Sequence, residues 1–136
     1  MLTLQLEPPD VGERLYLDMG PFDERGIECG DGWFAIVDRL SSACECEIEL
    51  LISRGVNEES WPRVAQIKEK LGGLRFYVKG SLSPKLRREI LRTVVDDGES
   101  FQTCELCGAA GRLRSQAWKR TLCNTCDADE AVRRRQ

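Results

Sequence analysis

Apolar positions change their period along this chain, and each change predicts an element. Leu2, Leu4 and Leu6 alternate with polar residues, the period of a strand with one buried face, and Pro8-Pro9 stops it. Leu15, Leu17 and Met19 repeat the alternation in weaker form, and residues 20–31 (GPFDERGIECGD) read as a loop rich in glycine and aspartate. From Gly32 the spacing lengthens. Trp33, Ile36, Val37, Leu40, Cys44, Ile48 and Leu51 fall three or four apart, one face of an amphipathic helix running to about Arg54. Asp31 is placed to cap that helix and Gly55 to end it.

Residues 63–79 (RVAQIKEKLGGLRFYVK) carry two overlapping patterns. Leu74, Phe76 and Val78 alternate with Arg75, Tyr77 and Lys79, a strand with one wet face. The stretch before it suits a partner strand, with Gly72-Gly73 supplying the positive φ angles of a tight reversal. Val64, Ile67 and Leu71 equally suit a short helix ending at Gly72; we read a hairpin. Ser83-Pro84 then opens a second helix, a hydroxyl cap followed by proline where its missing N–H does no harm. Leu86, Ile90 and Val94, with Leu91 and Val95, make its expected buried face, and Gly98 lies near its end. The elements add up to an α+β body over residues 1–103, with two main helices and a β-hairpin, followed by a separate module over 104–136.

Charge sharpens that division. The chain has 136 residues and a formal charge of -3, with 13 basic and 19 acidic side chains before residue 104 and 7 basic and 4 acidic from there on. An acidic body fits a basic protein partner better than a phosphate backbone, which needs clustered Lys and Arg. No apolar run reaches the length that spans a bilayer, and the first residues lack a secretory signal, so a cytoplasmic protein with no membrane partner is expected. Histidine is absent, which removes Ser/His, Cys/His and imidazole acid–base catalysis together. No phosphate loop, nucleophile motif or marked carboxylate pair takes their place, and we expect no enzymatic activity.

The strongest chemical signal lies in the tail, CELCGAAGRLRSQAWKRTLCNTCDADEAVRRRQ. Cys104-x-x-Cys107 and Cys123-x-x-Cys126 are separated by fifteen residues. Two residues between thiolates let both sulfurs reach one tetrahedral ion, and the longer gap closes a loop around it. The expected ligands of one structural zinc ion are therefore Cys104, Cys107, Cys123 and Cys126, a set with no open position for water. Gly108 permits a tight knuckle after Cys107. Arg112–Ser115 and Trp118–Leu122 suit a hairpin, and the second cysteine pair suits the start of a helix through Ala131, whose dipole favours thiolate charge. Knuckle, hairpin and ligand-bearing helix describe a treble-clef finger. Cys29, Cys44 and Cys46 have no ligand spacing and read as bystanders, bringing the total to seven, an odd number that argues against a disulfide framework.

The strings CGDGWFAIVDRL, VAQIKEKLGGLRFYVKG, CELCGAAGRLR and WKRTLC resemble a family of small proteins from phages and bacteria, from Cys29 onward. In that family the last ligand pair looks like C-x-x-H, where Cys126 stands here at the histidine position. The resemblance implies a metal finger and a mobile-element setting, and carries no activity. Separately, the cysteine pairs are similar to those of GATA-type DNA-binding fingers, although Asp127, Asp129 and Glu130 stand where such fingers have a basic tail.

Elsewhere, Gly30-Asp31-Gly32-Trp33 reads as a helix start whose Trp docks in the core. Lys68-Glu69-Lys70 beside Arg75 and Lys79 could be a basic hairpin surface with Tyr77 available for stacking, but a solvated strand face is the better reading; Arg133–Arg135 reads as a solvated end, with a phosphate contact as its alternative. The expected function is non-enzymatic binding of another protein in an inhibitor, immunity or accessory role. The alternative is nucleic-acid binding through the finger with Arg112, Arg114, Lys119 and Arg120.

Overall fold

A computed structural model of the chain describes residues 27–115 and 118–135. The alternations at Leu2–Leu6 and Leu15–Met19 and the start of the expected loop lie outside the described residues. Strands β1 (Ile27–Glu28), β2 (Arg63–Lys70) and β3 (Gly73–Lys79) form one sheet, in which β1 runs parallel to β2 and β2 antiparallel to β3. Helices α1 (Phe34–Ser53) and α2 (Pro84–Val94) pack on one side of it. The finger follows as β4 (Arg112–Ser115), β5 (Lys119–Leu122) and α3 (Asn124–Arg135). The class is α+β, as expected.

Each boundary has a local cause. Asp31 does not cap α1: it lies in a 3-10 turn, Asp31–Trp33, and no side chain caps that turn or the helix that follows. The other end matches the sequence reading. Gly55 adopts φ 73°, its N–H bonds the Ile52 carbonyl, and the Val56 N–H bonds that of Leu51, a Schellman closure. In α2 the Ser83 hydroxyl accepts the Leu86 N–H at 3.1 Å, and Pro84 occupies the first turn. The helix ends at Val94 rather than near Gly98, which instead precedes a 3-10 turn at Glu99–Gln102.

Arg63–Lys70 is strand, not helix, with Leu71 in the turn that follows, and β2 carries a bulge between Val64 and Gln66. That extra residue places Val64 and Ile67, three apart, on the same buried side, opposite Val78 and Phe76. The core thus gathers Trp33, Ile36, Val37, Leu40 and Cys44 from α1 and its approach, Val64, Ile67, Leu74 and Phe76 from the sheet, and Leu86 and Ile90 from α2. Leu91 and Val95, expected on the buried face, are exposed. Thr93 is buried there instead, its hydroxyl bonded to the Glu89 carbonyl and to Arg39.

The two glycines of the hairpin do different jobs. The reversal is made by Leu71 and Gly72, both at positive φ (54° and 87°), which puts Lys70 opposite Gly73. Gly73 is required for space, because a Cβ there would lie 2.2 Å from the Phe101 ring.

Candidate metal centre

Two turns and a hairpin bring the four tail cysteines together. An isolated bridge between Thr103 and Ala110 folds the knuckle, Gly108 takes φ 85°, and its N–H bonds the Cys104 carbonyl at 2.9 Å. Pairing of β4 with β5, from Arg112–Leu122 to Ser115–Lys119, carries the chain back to Cys123. Cys126 sits in the first turn of α3, which extends past the expected Ala131 to Arg135. The four sulfurs of Cys104, Cys107, Cys123 and Cys126 all lie within 4.8 Å of one another.

The spacing fits a metal and not a disulfide. Four sulfurs at about 2.3 Å from a tetrahedral ion stand about 3.8 Å apart, whereas a disulfide needs about 2.0 Å. Cys107 Sγ and Cys123 Sγ are separated by 3.7 Å, and all seven cysteines are free thiols. The Cys126 N–H points at Cys123 Sγ at 3.4 Å, the backbone donor that a thiolate at this position accepts.

Ionisation across the cluster is uneven. Burial opposes charge on Cys104, yet backbone N–H groups of Cys123, Cys107 and Leu106 overcome it and bring the thiol down to about 6. Cys126 is pushed up to about 12, first by its hydrogen bond with the Cys123 sulfur, then by burial and the nearness of Cys104 and Cys107. At Cys107 the Ala109 N–H favours the thiolate, but hydrogen bonds with the Cys104 and Cys123 sulfurs outweigh it and the thiol is raised. Cys104 is ready as a thiolate, and Cys107 and Cys126 hold protons that a bound cation would displace.

The centre is built into the body by a seat that sequence reasoning assigned to the helix start alone. Gly32 N–H donates to the Glu105 carbonyl at 2.7 Å, Gly30 N–H to Glu105 Oε2 at 3.0 Å, and the Trp33 indole N–H to the Thr103 carbonyl at 2.8 Å. A Cβ on Gly32 would lie 2.1 Å from the Cys104 carbonyl oxygen, and one on Gly30 2.5 Å from that of Glu105. Both glycines of GDGW therefore let the metal knuckle approach, while Trp33 docks in the core as expected. On the other side, buried Thr121 donates its hydroxyl to the Gly72 carbonyl at 2.7 Å, which seats the finger hairpin on the β2–β3 turn.

Two of the four cationic residues considered for nucleic acid are committed inside the finger. Arg114 is buried, and its guanidinium donates to the Leu122 carbonyl (2.9 and 3.2 Å) and Asn124 Oδ1 (2.9 Å), with Asp127 at 3.6 Å. Arg120 bonds Glu130 at 2.6 Å and faces buried Glu105 at 3.7 Å. Burial raises the Glu105 carboxyl, and the Gly30 N–H and Arg120 draw it back. Arg112 and Lys119 are exposed. Glu105 was missed by sequence reasoning because nothing in its neighbourhood distinguishes it from a solvated carboxylate. Cys29 and Cys44 lie outside the cluster, with Cys44 in the core, and Cys46 is exposed. Among the described residues no helix is long and apolar enough to cross a membrane. Comparison of the chain with protein-family models, with curated proteins and with solved structures yields no match.

Proposed function

We propose that the chain is a non-enzymatic zinc protein whose finger is a structural staple, and that it acts by binding another protein in an inhibitor, immunity or accessory role associated with a mobile element. The observation that carries this reading is the closed set of four sulfurs at tetrahedral spacing, with Cys104 fully buried. Four soft thiolates favour zinc over oxygen-seeking divalent ions, and they fill its coordination, leaving no position for a substrate or an activated water. The finger's ties to Gly30, Gly32 and Gly72 support a structural role, since metal-driven folding then orders the body's seat as well.

Elemental analysis of protein purified without added metal is expected to give about one zinc per chain. Cys104→Ser or Cys123→Ser should lose the metal and unfold residues 104–136, whereas Cys29→Ser should retain it. An iron–sulfur chromophore, or zinc lost with Cys29→Ser and kept with Cys104→Ser, would reject the assignment. Pull-down from the native host followed by mass spectrometry tests the protein partner.

Duplex reading through the finger is less well supported, because Arg114 and Arg120 make internal bonds and Asp127 and Glu130 lie beside them. A random-sequence selection with duplex DNA is expected to yield no motif. A reproducible motif, lost on charge reversal at Arg112, would restore that alternative.

A further inference from the structure

The pleat of β2 and β3 sorts charge in a way the linear sequence hides. Glu69 pairs across the strands with buried Leu74, and its carboxylate accepts the Gly72 N–H at 2.8 Å, so it belongs to the inner side. Its neighbours Lys68 and Lys70 alternate to the other side. There Lys68 stands directly opposite Arg75, and Arg63 directly opposite Lys79, with Gln66 opposite Tyr77 between them. Tyr77 is 46% exposed. Glu28 is paired with Lys68 at the sheet edge, and Glu58 bonds Arg63 at 2.9 Å. Both long helices pack on the inner side, where Leu40 and Ile90 share one core cluster with Ile67 and Phe76.

Like charges directly opposite on adjacent strands destabilise a sheet, and this face carries two such pairs. A departure of that kind from what stability favours marks a working surface. Cations in two rows around one open aromatic ring match a single nucleic-acid strand, where phosphates meet the cations and a base stacks on the ring. An acidic polypeptide would satisfy the cations and leave the tyrosine ring without a flat partner. We propose that the outer face of the β2–β3 hairpin binds single-stranded nucleic acid without sequence preference, using Lys68, Lys70 and Arg75 for phosphate and Tyr77 for stacking. This surface uses no metal ligand, although its turn end abuts the finger backbone at Lys119 and Arg120, and it goes beyond the protein-binding role proposed above.

The test uses the full zinc-loaded chain and fluorescence anisotropy with labelled oligothymidylate and oligouridylate. Binding is expected, with log K falling against log salt at a slope of about -2 to -3, as three or four neutralised phosphates of a single strand require. Tyr77→Ala should weaken it roughly tenfold and Tyr77→Phe should restore it, as loss and return of one stacked base predict. Lys68→Glu with Arg75→Glu should abolish binding at unchanged zinc content and unchanged circular dichroism. Arg112→Glu should leave it intact. Any of three results overturns the proposal: no binding at low salt, loss of binding with the finger variant alone, or binding indifferent to Tyr77→Ala and matched by polyglutamate of equal length. The last would assign the face to an acidic polypeptide. None of them bears on zinc stoichiometry or on a pulled-down partner, so the two readings fail separately.

Discussion

Leu71 holds a left-handed backbone (φ 54°) at the hairpin reversal while its side chain stays 59% exposed. An L-residue with a large side chain is strained there, and exposure means that its removal sacrifices little burial. Leu71→Asn is therefore expected to stabilise the protein by about 1 kcal/mol in urea unfolding; a loss of stability would show that the leucine makes a contact outweighing its backbone. The glycine pair beside it was legible as a turn, but not the division of labour, because Phe101 beneath Gly73 comes from a distant segment. The bystander cysteines separate by environment in the same way. Burial pushes Cys29 and Cys44 up to about 12, with nearby carboxylates adding to it at both, whereas Cys46 is exposed. At pH 8 a thiol at about 12 is ionised in roughly one molecule in ten thousand, and thiolate is the reactive form. A disulfide reagent applied to the zinc-loaded protein at that pH should modify Cys46 first and leave Cys29 and Cys44 for slower phases. Fast labelling of Cys29 would show that its pocket opens readily.

At the scale of elements, what the sequence made legible were features with a local cause. The Schellman closure at Gly55, the Ser83-Pro84 cap and the strand alternation from Leu74 to Val78 each depend on neighbours a few residues away. What it obscured depends on pairing. The bulge in β2 puts inward residues three apart and so imitates helical spacing, which is why residues 63–71 suited both readings. The GDGW turn is the sharper case, since its glycines answer to Cys104 and Glu105 more than seventy residues later in the chain. Gly32→Ala would drive a methyl group into backbone on both residues, which cannot move without disturbing the knuckle. We expect a loss of about 2–3 kcal/mol, the upper range for overpacking, together with faster zinc transfer to a chromophoric chelator. Gly55→Ala, where no atom lies within 4 Å of the new Cβ, serves as the control: backbone strain alone should cost about 1 kcal/mol and leave zinc transfer unchanged.

For the molecule as a whole, averaging charge over residues 1–103 concealed its arrangement. Helix α1 carries Asp38, Glu45, Glu47 and Glu49 against Arg39, while α2 exposes Lys85, Arg87, Arg88 and Arg92 and the sheet turns its lysines outward. The finger, the region expected to be most basic, spends Arg114 and Arg120 on its own carbonyls and carboxylates. It is tied to the body at the GDGW turn and at the β2–β3 turn, so the state of the metal should be felt by both. That coupling has a pH dependence whose sign follows from the thiols. Near neutral pH Cys104, at about 6, is already a thiolate, whereas Cys126, at about 12, and Cys107, raised above its ordinary value, are protonated. Binding a dication to all four sulfurs must release at least those two protons, so acid competes with metal. Apparent zinc affinity should then rise at least a hundredfold for each pH unit between pH 6 and 8, two released protons setting a minimum slope of about two. Competition with a chelator of known pH dependence measures this directly. As zinc leaves on the acid side, the finger's contribution is lost and the unfolding midpoint of the whole chain should fall with it, in one transition shared by probes at Trp33 and Trp118. An affinity independent of pH would mean that the ligands are not thiols that start protonated. Two separated transitions would mean that the seat at Gly30, Gly32 and Gly72 does not couple finger to body.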